Sequence, residues 1–286
     1  MCNTVPHNHP GKGTSLRAQL KGILENHPRL LGITKRLRSL LSHATEALAA
    51  TGLASATAVD VALHPWFLRD LQKYRAMGAE TSIKDIFPQL HDKTSCTPFD
   101  PHYFYQSAWA ARLIHDSGTS THYDVGSSNM FVGMITAFVT VVFIDIRPLP
   151  VAMERLTSLG GTVLDLPMSD QSIASLSCLH VAEHIGLGRY GDPLDPEGTT
   201  KAAAELQRVL APSGNLYFSL PVGRARTQFN AHRITRLRDV PAMFPELELL
   251  SVSVVDDRGT WHPDASLDGW DGQTYACGMF HFRRAR

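Results

Sequence analysis

A regular alternation of short β-rich runs and helix-forming stretches between residues 121 and 221 places the strongest limit on how this chain can fold. Tyr123–Val125 and Val139–Ile144 are β-branched and almost continuously apolar, which is typical of strands buried on both faces. Asn129–Phe138 is long enough for a helix between them, and we expect Val151–Leu159 to form another helix after the second strand. The alternation predicts a doubly wound, mostly parallel α/β sheet.

The remaining elements extend the same pattern toward the carboxyl end of the chain. Further strands are expected at Thr162–Leu164, Ile173–Leu179, Asn215–Leu220, Leu247–Val255 and Thr274–Phe282, with a helix at Pro196–Leu210. The connection between the last two strands is rich in Gly, Asp and Pro, so these strands are most easily antiparallel neighbours. We therefore expect a seven-stranded sheet that carries an antiparallel edge strand.

Composition and charge exclude several classes of protein. Lys plus Arg and Asp plus Glu both number 27, so the chain has no overall field that attracts nucleic acid. No apolar run is long enough for a membrane span, and Met1–Gly13 is polar, unlike a signal peptide. The cysteines, Cys2, Cys96, Cys178 and Cys277, lack metal-type spacing and suit a reduced compartment. We expect a cytoplasmic protein, and the oligomeric state stays open.

The first part of the chain has a different character. Leu and Ile recur at helical spacing over Ser15–Thr51, and Trp66–Met77 is a second helix candidate. The expected organisation is a disordered tail at 1–13, a helical N-terminal cap region at 14–118 and the sheet domain at 119–286.

Acids stand where three of the predicted strands end. Asp124 is followed by Gly126, which permits a tight turn that brings the backbone close to a ligand. A carboxylate at Asp145, after the second strand, can accept both ribose hydroxyl hydrogens. Asp165, after the third strand, can accept a hydrogen bond from an adenine amino group. Together these acids predict a nucleoside-binding site at one edge of the sheet.

The first loop is poor in glycine, which bears on the kind of nucleoside. Gly126 stands alone where a dinucleotide fingerprint carries three glycines, and Ser128 and Met130 occupy the neighbouring places. A ligand without phosphates, such as S-adenosylmethionine, needs less clearance than a pyrophosphate. An NAD-linked oxidoreductase is therefore the less favoured alternative.

Several segments resemble known proteins. Those that look like class I S-adenosylmethionine-dependent methyltransferases are Asp165–Asp170, Glu183-His184 and Glu205–Gly214. Over Phe99 to about Arg233 the chain is similar to the largely uncharacterised Caenorhabditis-type domain-of-unknown-function family, through Tyr103–Gln106, Asp145–Leu149, Glu183–Asp192 and Phe229–Arg233. The resemblance implies a Rossmann-like methyltransferase fold and S-adenosylmethionine as cofactor, but no particular substrate.

By position, the resemblance also implies roles for residues of the cofactor site. Asp124 and Gly126 would border the methionine part of the cofactor, Asp145 the ribose, and Asp165 with Leu166 the adenine. The complete expected set is Asp124, Gly126, Ser127, Asp145, Ile146, Arg147, Asp165, Leu166 and His180.

The segment from His180 to His184 also matches the His-x-x-Glu-His pattern of inverted zinc peptidases. That chemistry needs both histidines on one helix, whereas Ile173–Leu179 is predicted as a strand and glycines follow. A divalent ion held by His184, Asp192 or Asp195 is the more reasonable metal site, but the pattern does not predict one.

A hydroxyl acceptor of a methyl group must lose its proton, and His is the usual general base near neutral pH. His184 is expected to take this role with Glu183 orienting it, and His232 is the reserve candidate. The alternative is that Glu183 and His184 only hold the next loop by hydrogen bonds.

Polar and aromatic residues around this position predict an acceptor site. The long loop Gly186–Gly198 is of a kind that is often functional. The expected substrate-binding residues are His102, Tyr103, Gln106, Arg189, Tyr190, Asp192, Asn230, His232 and Arg233. We expect O-methylation of a small polar molecule, with a sugar-derived acceptor as one candidate. A non-catalytic S-adenosylmethionine-binding protein is the alternative.

Overall fold

The computed structural model describes residues 64–286, and the chain divides into two units between Pro98 and Phe99. In the first unit, helix α1 (Pro65–Ala76) begins with a proline in its first turn and confirms the helix expected at Trp66–Met77. The helical stretch and the disordered tail expected before residue 52 lie outside the described residues. The domain boundaries given above stay predictions.

The second unit is built around a sheet and a separate two-stranded ribbon. The sheet has eight strands where seven were expected, because a two-residue strand is added at one edge. The strands of the sheet are β1 (Thr121–Val125), β2 (Thr140–Asp145), β3 (Leu156–Gly160), β4 (Ile173–Leu179), β5 (Leu210–Val222), β8 (Leu247–Val255), β9 (Trp261–His262) and β10 (Ala276–Arg284). The ribbon pairs β6 (Arg226–Gln228) with β7 (His232–Ile234). The helices are α2 (Pro101–Asp116), α3 (Asn129–Ile135) and α4 (Gly198–Val209).

The strand order is β3-β2-β1-β4-β5-β10-β8-β9, and strands β1 to β5 are parallel. Strand β10 runs antiparallel to both β5 and β8, which confirms the mostly parallel sheet with an antiparallel pair toward one edge. The order reverses between β1 and β4, because β2 and β3 extend one way and β5 the other. Such a reversal opens a crevice beyond the carboxyl ends of the strands, where ligands bind.

The stretch after β2 differs from the prediction. The helix expected at Val151–Leu159 is wrong, since Leu156–Gly160 forms β3 and pairs in parallel with β2. Arg155, with φ of 59°, turns the chain into this strand, and Thr, Ser and Gly are poor helix formers. The third strand expected around Thr162–Leu164 is also misplaced, because those residues form the loop after β3.

Apolar residues cover both faces of the sheet. Val141 and Phe143 of β2 pack in one core cluster with α2 and α3, through residues such as Ile114 and Phe131. Ile144, which points to the opposite face, belongs to a second cluster with α4. Burial on both faces explains why these strands are continuously apolar. None of the helices within residues 64–286 combines the length and apolar character that a bilayer span requires.

Candidate functional site

A cavity of about 430 Å³ lies at the carboxyl ends of β1 to β4, where the strand order reverses. Its walls come from four segments of the chain, at residues 125–126, 144–147, 161–164 and within 180–193. Each segment lies at the carboxyl end of one of the four strands. The acids at the strand ends predict a ligand site at this edge of the sheet. The structure has a cavity at the same edge, and its size suits a small molecule.

Gly126 forms the turn after β1 and has φ of 66°. A Cβ atom at this position would lie 3.1 Å from Val181 Cγ1 and 3.4 Å from Asp145 Oδ2. The Gly126 amide donates to the carbonyl oxygen of Ile144 at 2.9 Å, which fixes the turn against β2. The left-handed backbone and the narrow space both explain why glycine stands here.

We expect Gly126→Ala to lower the stability of the chain by about 1–2 kcal/mol, because a left-handed alanine is strained and its methyl group meets Val181. The matched control is Gly133→Ala in α3, where a Cβ would meet no described heavy atom within 4 Å beyond its chain neighbours and the backbone of its own helix. That control should be neutral or stabilising. Thermal unfolding measures both, and equal melting temperatures would contradict the assigned strain.

Asp124 lies buried beneath this turn and outside the cavity lining. One of its carboxylate oxygens accepts from the Ser127 amide at 3.0 Å, and the other accepts from the Ser177 hydroxyl. Burial raises the pKa of Asp124 to about 6, although these hydrogen bonds act in the opposite direction and lower it. His122 Nε2 lies 2.8 Å from the Ser177 hydroxyl, and burial lowers the pKa of His122 to about 3, so its ring is neutral. Asp124 therefore holds the loop in place from below.

Ser127 also holds the turn after β1 in place. Its hydroxyl oxygen accepts from the Leu179 amide at 3.0 Å, which ties the turn after β1 to the end of β4. Ser127 is buried and, like Asp124, lies outside the cavity lining. The structure thus places these two predicted cofactor residues behind the loop and not on its ligand-facing side.

Asp145 lines the cavity directly, together with Ile146 and Arg147. Its Oδ1 accepts from the Arg147 amide at 2.7 Å, and its side chain is 20% exposed. The Arg147 guanidinium lies over the Tyr190 ring at 4.5 Å, and this pair forms part of the rim. Asp145 therefore presents a carboxylate to the cavity at the end of β2, where a ribose carboxylate is expected.

Asp165 and Leu166 are placed differently. Asp165 is exposed and Leu166 is buried in the core, and both lie outside the cavity lining. The Leu166 amide donates to Glu205 Oε1 at 2.6 Å, and Arg208 donates to the Leu166 carbonyl oxygen at 3.2 Å. This network fixes the loop after β3, whose residues Thr162–Leu164 border the cavity instead.

The segment after β4 carries a buried acid between two histidines. Glu183 Oε1 lies 2.8 Å from His180 Nδ1 and 3.7 Å from His184 Nε2. Burial opposes ionisation of Glu183, but His180 and His184 outweigh it and lower the pKa of the carboxyl group. His180 and His184 line the cavity, whereas Glu183 lies fully buried behind them.

His184 has a defined tautomer in this setting. Its Nδ1 lies 2.6 Å from the Ala231 carbonyl oxygen, which can only accept, so Nδ1 carries the proton. Burial lowers the pKa of His184, so the ring is neutral at pH 7 with Nε2 as its basic nitrogen. Arg189 Nη1 donates to the same carbonyl oxygen at 3.2 Å, and it lies 3.2 Å from Nδ1 and 3.5 Å from Nε2 of the ring.

Several predicted acceptor-binding residues gather near His184. Tyr190 and Asp192 line the cavity, and the His232 ring centre lies 6.4 Å from that of His184. The His102 and Tyr103 rings stack on His180 at 5.5 Å and 5.8 Å. The structure therefore brings α2, the loop after β4 and β7 to one side of the cavity.

Other predicted acceptor residues are engaged in holding the structure. Gln106 Oε1 accepts from the buried Ser219 hydroxyl at 2.6 Å. Arg233 donates to backbone carbonyl oxygens on both sides of the loop after β4, one of them that of Asp195 at 2.7 Å. Asn230 Nδ2 lies 3.5 Å from the Leu187 carbonyl oxygen. These three residues shape the site from outside the cavity lining.

One residue beside the site could not be predicted from any local sequence pattern. Cys277 Sγ on β10 lies 3.2 Å from His180 Nε2 and is fully buried. Only the antiparallel insertion of β10 beside β5 brings this cysteine to the end of β4. A spacing motif could not reveal it, because the two residues are far apart along the chain.

Residues 168–260 match the family model described as Caenorhabditis protein of unknown function, DUF268. No curated protein matches the chain. Among solved structures, the 4+2 cyclase SpnF is 14% identical, with 63% of this chain and 81% of that chain covered, at a TM-score of 0.49.

Two solved methyltransferase structures match the chain with comparable identity and TM-score. The N-methyltransferase NodS from Bradyrhizobium japonicum, in complex with S-adenosyl-L-homocysteine, is 16% identical over 65% of this chain and 89% of that chain, at a TM-score of 0.46. The 1,6-didemethyltoxoflavin-N1-methyltransferase from Burkholderia thailandensis is 11% identical over 68% of this chain and 94% of that chain, at a TM-score of 0.48. With its parallel β1 to β5 and the antiparallel β10 inserted before β8, the chain has the class I methyltransferase fold, and its residues 168–260 match the DUF268 family.

Proposed function

We propose that this chain is an S-adenosylmethionine-dependent methyltransferase that methylates a hydroxyl group of a small polar acceptor. The observation that carries the proposal is the cavity at the reversal of strand order, with the Gly126 turn and the Asp145 carboxylate on its wall. The left-handed turn at Gly126 brings the backbone to the cavity wall, and the carboxylate suits a pair of ribose hydroxyls.

In this proposal the cofactor is held by the ends of three strands. Gly126 borders the methionine part, with Asp124 and Ser127 supporting the turn from behind. Asp145 accepts from the ribose hydroxyls. The backbone at 162–164 borders the adenine, in the place that the sequence assigns to Asp165.

When bound, S-adenosylmethionine supplies a methyl group that is already activated by the sulfonium charge. The chain must therefore orient the acceptor and remove its proton. His184 is neutral, lines the cavity and accepts the proton at Nε2. Glu183 lies 3.7 Å from Nε2 and stabilises the imidazolium that forms. Tyr190 and Asp192 contact a polar acceptor such as a sugar-derived molecule.

The proposal is tested by turnover. Purified chain, S-adenosylmethionine and a panel of polyhydroxylated small molecules should release S-adenosylhomocysteine, with a mass gain of one methyl group on the acceptor. Absence of release across the panel, together with tight cofactor binding, would favour the alternative of a non-catalytic binding protein. That alternative draws on one observation, which is that Gln106, Asn230 and Arg233 are already engaged in bonds within the chain.

The affinity for S-adenosylmethionine is expected to fall at acid pH. The cationic sulfonium favours the ionised form of Asp124, so binding lowers a pKa that is about 6 in the free chain. Binding therefore releases a proton, and affinity declines as pH falls through about 6. Between pH 7.5 and pH 5 the dissociation constant should rise by up to about tenfold in calorimetry.

Two controls isolate this effect. S-adenosylhomocysteine has no sulfonium charge, so its affinity should change less over the same pH range. The His184→Gln variant should keep the effect, because it removes the titration of one histidine of the cavity wall and leaves Asp124 in place. An equal decline for both ligands would contradict the role of Asp124.

A further inference from the structure

Three side chains from separate elements converge beside the cavity. His102 at the start of α2, His180 after β4 and Cys277 on β10 each direct one potential ligand atom to a common point, and these atoms lie within 4.8 Å of one another. All three residues are buried. His180 Nε2 and Cys277 Sγ are 3.2 Å apart. In a tetrahedral zinc site, nitrogen and sulfur ligands lie about 3.3–3.6 Å apart, so His180 and Cys277 have nearly the spacing of two ligands of one ion.

The other nitrogen of His180 is held in the way that metal-binding histidines require. His180 Nδ1 lies 2.8 Å from Glu183 Oε1, and the carboxylate is fully buried. A carboxylate that accepts from one ring nitrogen leaves the other nitrogen free to bind a metal and increases its basicity. Nε2, which faces Cys277, is that second nitrogen.

Glu183 supplies an independent indication of a cation. Its Oε2 is buried and has no hydrogen-bond partner among the described residues. A buried carboxylate oxygen without a partner is costly and calls for compensating positive charge. An ion bound to His180 would supply that charge one side chain away.

The backbone at His180 is also unusual. His180 has φ of 56°, a left-handed conformation that costs a non-glycine residue about 1–2 kcal/mol. This conformation directs the ring between Glu183 and Cys277, with the His102 ring centre 5.5 Å from that of His180. Backbone strain of this kind is concentrated at functional sites.

We propose that His102, His180 and Cys277 bind one Zn²⁺ ion, with a fourth coordination position open on the side where His180 lines the cavity. Two imidazoles and one thiolate suit zinc, and three protein ligands are typical of sites that keep a position for water or substrate. The fourth ligand is an oxygen donor, such as water or a hydroxyl group. Zinc binding is independent of methyl transfer and can be measured without the cofactor.

The test uses the full chain after removal of metal by a chelator. Titration with Zn²⁺ against a chromophoric chelator should show one high-affinity equivalent, and Zn²⁺ should raise the melting temperature. Co²⁺ in its place should give the thiolate-to-cobalt charge-transfer band together with the visible absorption of a tetrahedral site. Binding by surface histidines alone gives no thiolate band, so the spectrum of the unmodified chain distinguishes the two cases.

Variants then assign the ligands. Glu183→Gln should weaken zinc binding by about 10–100-fold, as loss of a partner behind a ligand usually does, and Cys277→Ser should weaken it further and remove the thiolate band. The control is Cys178→Ser, an equally buried thiol outside the cluster, which should retain the band. Circular dichroism without metal verifies the fold of each variant.

Two results would overturn the proposal. One is an unmodified chain that binds no zinc equivalent or gives no thiolate band with Co²⁺. In that case Cys277, His180 and Glu183 form a hydrogen-bonded chain without an ion. The other is a folded Cys277→Ser variant with unchanged zinc affinity. Neither result bears on S-adenosylmethionine binding, which is measured separately.

Discussion

Replacement of Asp145 by alanine is expected to weaken S-adenosylmethionine binding by about 30–100-fold. The side chain is the carboxylate that ends β2 and faces the cavity, and hydrogen bonds to a charged acceptor contribute about 1.5–3 kcal/mol. Calorimetry on the purified variant measures the change. Because the side chain is partly exposed and its bond to the Arg147 amide is local, the fold should persist.

Asp165→Ala is the matched control for this prediction. Asp165 lies in the loop after β3 but is exposed and outside the cavity lining, so its loss should change affinity little. Asp145→Asn, which keeps an acceptor without the charge, should fall between the two. If Asp145→Ala binds as tightly as the unmodified chain, the ribose role is lost.

Replacement of His184 by alanine is expected to slow turnover by about 10²–10⁴-fold, the usual contribution of a general base. Cofactor affinity should change little, since the proposed contacts of the cofactor lie on the other strand ends. Rates of S-adenosylhomocysteine release with a responsive acceptor measure the effect. In the unmodified chain the rate should fall as pH drops through the pKa of His184, which burial holds below its usual value.

His281→Ala serves as the control for the loss of a histidine. His281 lies on β10, outside the cavity lining, and its Nε2 lies 2.9 Å from Asn215 Oδ1. Its replacement should leave turnover unchanged. Full turnover by His184→Ala would instead assign His184 to holding the loop through Ala231, and His232 would become the candidate base.

The sequence predicts the sheet well where strands are buried on both faces. The apolar run Val141–Ile144 of β2 is unambiguous, because a strand buried on both faces needs apolar residues in successive positions. Strand β3 is short and only partly buried, so its pattern carries little information. Its pairing with β2, a tertiary interaction, decides its conformation.

The site is predictable to the extent that strand ends converge. Asp145, Gly126 and His184 come together because parallel strands finish at one edge. Asp124 does not reach the cavity, since its neighbours Ser127 and Ser177 hold it beneath the turn. The cluster of His102, His180 and Cys277 depends on how α2 and β10 pack, which no local spacing reveals.

The proposed function requires that the ends of β1, β2 and β3 form one site for S-adenosylmethionine. A crystal structure of the chain with S-adenosylhomocysteine tests it most directly. We expect the ribose hydroxyls within hydrogen-bond distance of the Asp145 carboxylate, the amino acid part at the Gly126 turn and the adenine beside residues 162–164. A ligand bound elsewhere, or a ribose without contact to Asp145, would contradict the claim.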